Sequence, residues 1–148
     1  MYRHKPSLIK FAQRLKDHNC PSVAVVDISD SAPLIQFHGL YDTRSRIGIG
    51  RDKRSPIGKH QVKSRLVKPQ YTRLDPRTLK NVVLNSGDPG YPLGTHWIDI
   101  GNSFGIHGTN DPDSIGKSQS HGCIRMHNSD IAWVFDFLVI GSEVIIQE

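Results

Sequence analysis

Cysteine is scarce in this chain of 148 residues: Cys20 and Cys123 are the whole supply, 103 positions apart. Two thiols at that separation exclude a disulfide-stapled scaffold and a four-cysteine zinc site, so each is judged by its own surroundings. Long apolar runs are missing as well, since none approaches the roughly 20 residues that a membrane-spanning helix needs. The basic opening, Met1 to Lys5, is followed by apolar residues interrupted at Lys10, Gln13 and Arg14, which does not make the h-region of a signal peptide. There is no internal repeat and no low-complexity tract. The net charge of +5 favours anionic partners, among them nucleic acid, anionic lipid and acidic wall polymers. Nucleic acid is set aside because no basic stripe interleaved with aromatics, helix-turn-helix or zinc-finger pattern accompanies that charge.

What is present is a loop-rich globular composition, 36% hydrophobic with 13 Gly and 9 Pro, of a size suited to one domain. In residues 7–18, Leu8, Ile9, Phe11, Ala12 and Leu15 recur at helical spacing, which predicts a short amphipathic helix within an N-terminal extension, residues 1–21. From residue 22 the pattern turns to short apolar or alternating runs, at 23–28, 32–39, 44–51, 59–67, 81–86, 95–100 and 101–108. Pro69, Pro76 and many charges make 68–80 a surface loop, and 109–120 a second, polar one. Residues 129–139 place Ile131, Val134, Phe135 and Leu138 on one helical face, with Asn128 or Ser129 as the N-cap, before a last strand at 142–147. These elements predict a mostly-β sandwich or barrel with one helix across it.

The densest polar chemistry lies in residues 106–128, IHGTNDPDSIGKSQSHGCIRMHN, which hold His107, His121, Cys123, Arg125 and His127. A thiol attacks carbonyl carbon as thiolate and needs a base to ionise it. His107 comes 16 residues before Cys123, so a returning loop brings the two together. Gly122 lets the turn before the cysteine take a positive φ, and the N–H groups of Gly122 and Cys123 then suit an oxyanion hole. Arg125 is placed to lower the thiol pKa or to grip a substrate carboxylate. Two other readings stand beside this one: an inert packed thiol, and a metal site using His107, His121, Cys123 and His127, which the absence of a companion CxxC disfavours. Cys20 has no such neighbours and receives no role. Either His107 or His121 fits the base, and His107 is preferred because it comes from a different strand.

The stretch GIHGTNDPDSIGKSQSHGCIRMHNSDI resembles the signature of the YkuD-type L,D-transpeptidase catalytic domain, a His-Gly-Thr followed about a dozen residues later by Ser-His-Gly-Cys. SPIGKHQV at 55–62 is similar to that family's Thr-Pro-x-Gly-x-Phe element, with Ser55 in place of the common Thr and His60 in place of the aromatic. PLGTHWI at 92–98 and IGSEVIIQ at 140–147 resemble two further family strands, so the likeness spans residues 22–148 as a catalytic domain. The resemblance implies a β-sandwich or barrel of mixed sheets with one long helix. It also implies a cysteine acyltransferase that attacks peptidoglycan stem peptides, releases D-alanine from a tetrapeptide donor and passes the acyl group to an amine, forming a 3→3 cross-link. Cys123 would be the nucleophile, His107 the proton carrier oriented by the Gly108 carbonyl, and His121, Gly122 and Cys123 the backbone donors. Arg125, with Gly108, would contact substrate. No metal or organic cofactor is implied, carbapenems are expected covalent inhibitors, and the substrate implies the cell envelope or periplasm. The same acyl-enzyme passed to water would make an L,D-carboxypeptidase, and a fold without turnover would make a wall-binding module.

Overall fold

The computed structural model describes residues 23–29, 33–38 and 43–148. The expected helix at 7–18 and Cys20 lie outside them. Alternation in Val23–Asp27 (β1) and Glu143–Gln147 (β13) buries every second side chain, Ala24, Val26, Val144 and Ile146, as a half-buried strand requires. These two strands pair in parallel. Leu34–His38 (β2) and Thr43–Arg46 (β3) add on one side and Gly58–Gln61 (β5) on the other, giving a five-stranded sheet in the order β3-β2-β1-β13-β5. A second sheet, in the order β12-β10-β9-β6, is built from Ser64–Val67 (β6), His96–Gly101 (β9), Phe104–His107 (β10) and Ile124–Arg125 (β12). Both sheets mix parallel and antiparallel neighbours.

The run 59–67, read as one strand, is two, because the chain changes sheets in its middle. Val62 N–H donates to the Ser142 carbonyl beside the first sheet at 2.9 Å, and Lys63 N–H to the Asp99 carbonyl of the second at 2.8 Å. The inward residues of both sheets meet in one core, with Ile35, Phe37, Ile98, Ile106 and Ile124 sealed from solvent. Helix α1 (Asn128–Phe137) adds Ile131, Val134 and Phe137 to that core. Phe37 meets Trp133 and Phe137 edge to face, at centroid distances of 4.9 and 5.2 Å, the geometry that ring quadrupoles favour. The helix N-cap is His127 with no side-chain capping bond, in place of the expected Asn128 or Ser129 cap. The Asn128 amide is engaged elsewhere.

Two small sheets complete the architecture. Ile49–Gly50 (β4) pairs with Ser118–Ser120 (β11), and Tyr71–Leu74 (β7) with Asn81–Leu84 (β8). β7 lies inside the segment read as a loop; it is exposed on nearly all its residues and so carries no alternation to betray it. β11 likewise lies in the polar stretch read as the second loop. Leu84 of the hairpin packs with Tyr91, Leu93 and the Trp97 ring in a second apolar cluster. Among the described residues no helix is long and apolar enough to cross a membrane.

Candidate active site

The site grows from the parallel pairing of β10 with β12, which aligns Ile106 with Ile124 and His107 with Arg125. Both isoleucines face the core with no exposed surface. Strand alternation therefore turns His107 and Arg125 to the opposite face, and Gly105 and Cys123, one step earlier on each chain, share it. The outer edge of β12 is fixed by Gly48, which exchanges two backbone bonds of 2.8 Å with Arg125.

His107 is 5% exposed, and its Nδ1 lies 2.5 Å from the Gly108 carbonyl oxygen. A carbonyl only accepts, so Nδ1 carries the proton and Nε2 keeps its lone pair. Trp97 stacks on the ring at 5.5 Å and 23°, close enough over the strand that a side chain at Gly105 would meet its indole. Burial pushes the imidazole down to about 4, against the Gly108 carbonyl, which favours the cation, while Arg125 adds to the lowering. Asn128 holds the same stretch of backbone: its Oδ1 accepts the Thr109 N–H at 3.1 Å and its Nδ2 donates to the Thr109 carbonyl at 3.0 Å. The Gly108–Thr109 peptide is thus bonded at its N–H by Asn128 and at its carbonyl by His107.

Cys123 is a free thiol in the turn entering β12. Burial pushes it above the ordinary thiol value, opposed first by the Gly105 backbone N–H and then by the Arg125 charge. Gly122, ahead of it, has φ +136°, and a side chain there would collide with the Phe104 ring and approach the Arg54 carbonyl oxygen at 3.0 Å. Gly122→Ala is therefore expected to cost about 1–3 kcal/mol of stability, read as a lowered denaturation midpoint at unchanged slope. The Gly122 N–H donates to Ser120 Oγ at 3.2 Å, and Ser120 Oγ donates to the Cys123 carbonyl at 2.7 Å. The Gly122 carbonyl accepts from the buried Ser55 hydroxyl at 3.0 Å. His121 is exposed in the turn.

Arg125 is half-buried, with Nε and Nη2 sealed from water and unpartnered among the described residues. Its guanidinium lies over Gly48, where a Cβ would come within 3.0 Å of both nitrogens. Desolvation lowers its pKa, while Asp111 and then Cys123 favour its charge. Among the described residues no group of three or more His, Cys, Asp or Glu is gathered for a metal ion. The structure brings His107, Gly108, Gly122, Cys123 and Arg125 together at the paired strands β10 and β12 and the turn entering β12. Sequence reasoning gave no role to Trp97, Gly105, Ser120 or the Asn128 amide, and treated Ser55 only as a motif residue. The nearness of Ser120 to Cys123 was the one signal in the chain order for that group.

A neutral, tautomer-fixed imidazole and a thiol on one sheet face, with a guanidinium acting on both, suit nucleophilic acyl transfer. The model of the L,D-transpeptidase catalytic domain (YkuD) matches residues 21–146, and the chain belongs to that family. Putative L,D-transpeptidase YqjB of Bacillus subtilis is 36% identical over 103 residues, covering 66% of this chain and 54% of that protein. Putative L,D-transpeptidase YkuD of the same organism is 42% identical over 67 residues, covering 45% of this chain and 41% of the relative. The chain spans about half the length of the curated relatives it matches. Among solved structures, L,D-transpeptidase 3 from Mycobacterium tuberculosis in complex with a faropenem-derived adduct aligns with TM-score 0.66 at 20% identity, over 86% of this chain and 60% of that one. An L,D-transpeptidase from Mycobacterium smegmatis aligns with TM-score 0.67 at 18% identity, over 86% of this chain and 59% of the other. At those identities the likeness concerns the fold.

Proposed function

We propose that this domain exchanges amide bonds of peptidoglycan stem peptides through a thioester on Cys123. The observation that carries the reading is the His107 Nδ1 bond to the Gly108 carbonyl, which leaves Nε2 free on the face that Cys123 shares. Family membership supports the substrate class. His107 Nε2 takes the Cys123 proton as sulfur attacks the carbonyl between the third-position diamino acid and D-alanine. The oxyanion is received by backbone N–H groups of the His121–Cys123 turn, that of Cys123 first, because the Gly122 N–H is already given to Ser120. On collapse the C–N bond breaks, His107 returns the proton to the departing D-alanine amine, and the acyl group stays on sulfur. An acceptor amine then attacks the thioester, gives its proton to His107 and releases the thiol. One amide is broken and one formed, so the exchange needs no cofactor as an energy source. Arg125 biases the site toward anions, in keeping with a carboxylate-bearing stem peptide, and the substrate places the reaction in the cell envelope.

Purified disaccharide-tetrapeptides provide the test. Stoichiometric D-alanine release together with a 3→3 linked dimer is the expected result. Tripeptide without dimer would assign the acyl-enzyme to water and make the domain a carboxypeptidase. No D-alanine release by folded protein would overturn the reading.

A further inference from the structure

Ser55 lies in the break between β4 and β5, is 2% exposed, and bonds a turn 67 residues further on. Its Oγ accepts the Gly50 N–H at 2.9 Å and donates to the Gly122 carbonyl at 3.0 Å. A hydroxyl has one proton to give, and here it goes to the carbonyl of the peptide whose nitrogen belongs to Cys123. The described peptide bonds are all trans, so pinning this carbonyl on one side directs the Cys123 N–H to the other. Ser120 fastens the groups on either side, accepting the Gly122 N–H and donating to the Cys123 carbonyl. A hydrogen bond received at a peptide carbonyl also polarises the group and strengthens its N–H as a donor.

We propose that Ser55 is a positioning residue for acyl transfer, holding the Gly122–Cys123 peptide so that the Cys123 N–H is aimed in advance at the oxyanion formed by sulfur attack. This rests on the acyl-transfer reading above. As the S–C bond forms, the carbonyl π pair moves onto oxygen and the Cys123 N–H bonds it. As the tetrahedral centre collapses, the pair returns and the C–N bond breaks, with the proton carried by His107. Ser55 gains and loses no proton throughout. Its buried anchor to Gly50 spares the turn from reorganising at the moment of reaction, the condition under which an oxyanion donor is most effective.

Two reactions of the same sulfur separate this role from simple support of the turn. Opening of the imipenem β-lactam passes through a tetrahedral oxyanion; alkylation by iodoacetamide displaces iodide at saturated carbon and does not. Ser55→Ala and Ser55→Val are expected to slow imipenem acylation by about tenfold to a hundredfold, while alkylation rates and their pH profile stay within about twofold of wild type. Ser55→Thr, which matches valine in volume but keeps the hydroxyl, is expected to restore acylation, and the Thr/Val pair decides the matter if the alanine variant does not fold. Equal losses in both reactions, or acylation unchanged in Ser55→Val, would overturn the inference. Wild-type protein that takes no adduct on Cys123 would overturn the acyl-transfer reading first, a result seen without any variant.

Discussion

Cys123→Ala is expected to abolish the covalent adduct with imipenem and to lower stem-peptide turnover by at least about 10⁴-fold, because the proposed thioester forms on the sulfur that the substitution removes. Wild-type protein should gain the mass of one ring-opened imipenem, mapped by peptide digestion to the segment holding Cys123. The substitution removes one atom from a partly buried position, so the loss of stability is expected near about 1 kcal/mol, and unchanged circular dichroism will show that the fold stands. An equal adduct in the alanine variant would move the nucleophile elsewhere, and Cys20, the other thiol in the chain, would be the first position to check.

His107→Gln is expected to lower the acylation rate by about 10²–10⁴-fold. Glutamine can still donate to the Gly108 carbonyl but offers no basic nitrogen. The pH behaviour gives the sharper result. Burial holds the imidazole down to about 4 and pushes the thiol above its ordinary value, so near neutral pH the resting pair is uncharged and the proton lies on sulfur. Acylation should therefore hold level from about pH 5 to neutrality and fall as pH drops through about 4, where His107 becomes charged. A preformed thiolate would instead show rapid alkylation by iodoacetamide at pH 6, which is not expected here. A His121→Ala variant that loses far more activity than His107→Gln would transfer the base to the exposed ring.

The same displacement carries an acid sensitivity whose sign is definite. In the unfolded chain His107 takes its proton near 6.5, in the folded protein only near about 4. Between those values the unfolded state binds more protons, so stability falls as pH is lowered through the window and is unaffected by this group above it. The loss by pH 4 amounts to about 3 kcal/mol. Denaturation curves between pH 4 and 7 should be flatter in His107→Gln by that amount.

The grouping of the candidate residues was legible because it is nearly continuous in the chain: His107, Cys123 and Arg125 lie within 19 residues, and the intervening loop returns β12 alongside β10. The helix and strands β1 and β13 were legible for a different reason, since each has one face in the core and so alternates or repeats. β7 was missed because a strand wet on both faces has no such pattern. The change of sheet at Val62 was missed because it depends on partners, Ser142 and Asp99, distant in the chain. The two side chains that tie the site's peptides, Ser55 and Asn128, escaped for that same reason: their importance lies in backbone atoms 67 and 19 positions away. Asn128 even stood where a helix cap was expected, and its amide turned back to Thr109 instead.

The parallel pairing of β1 with β13 gives the domain a definite order of assembly. β13 sits between β1 and β5, so a growing chain cannot join β5 to the rest of its larger sheet until residues 143–147 have been made. The core that backs β10 and β12 draws Val144 and Ile146 from that strand, and strand pairing over such separations is slow. A nascent chain therefore carries Cys123 and His107 before the core behind them can close. The backing of the site is completed only when β13 takes its place between β1 and β5.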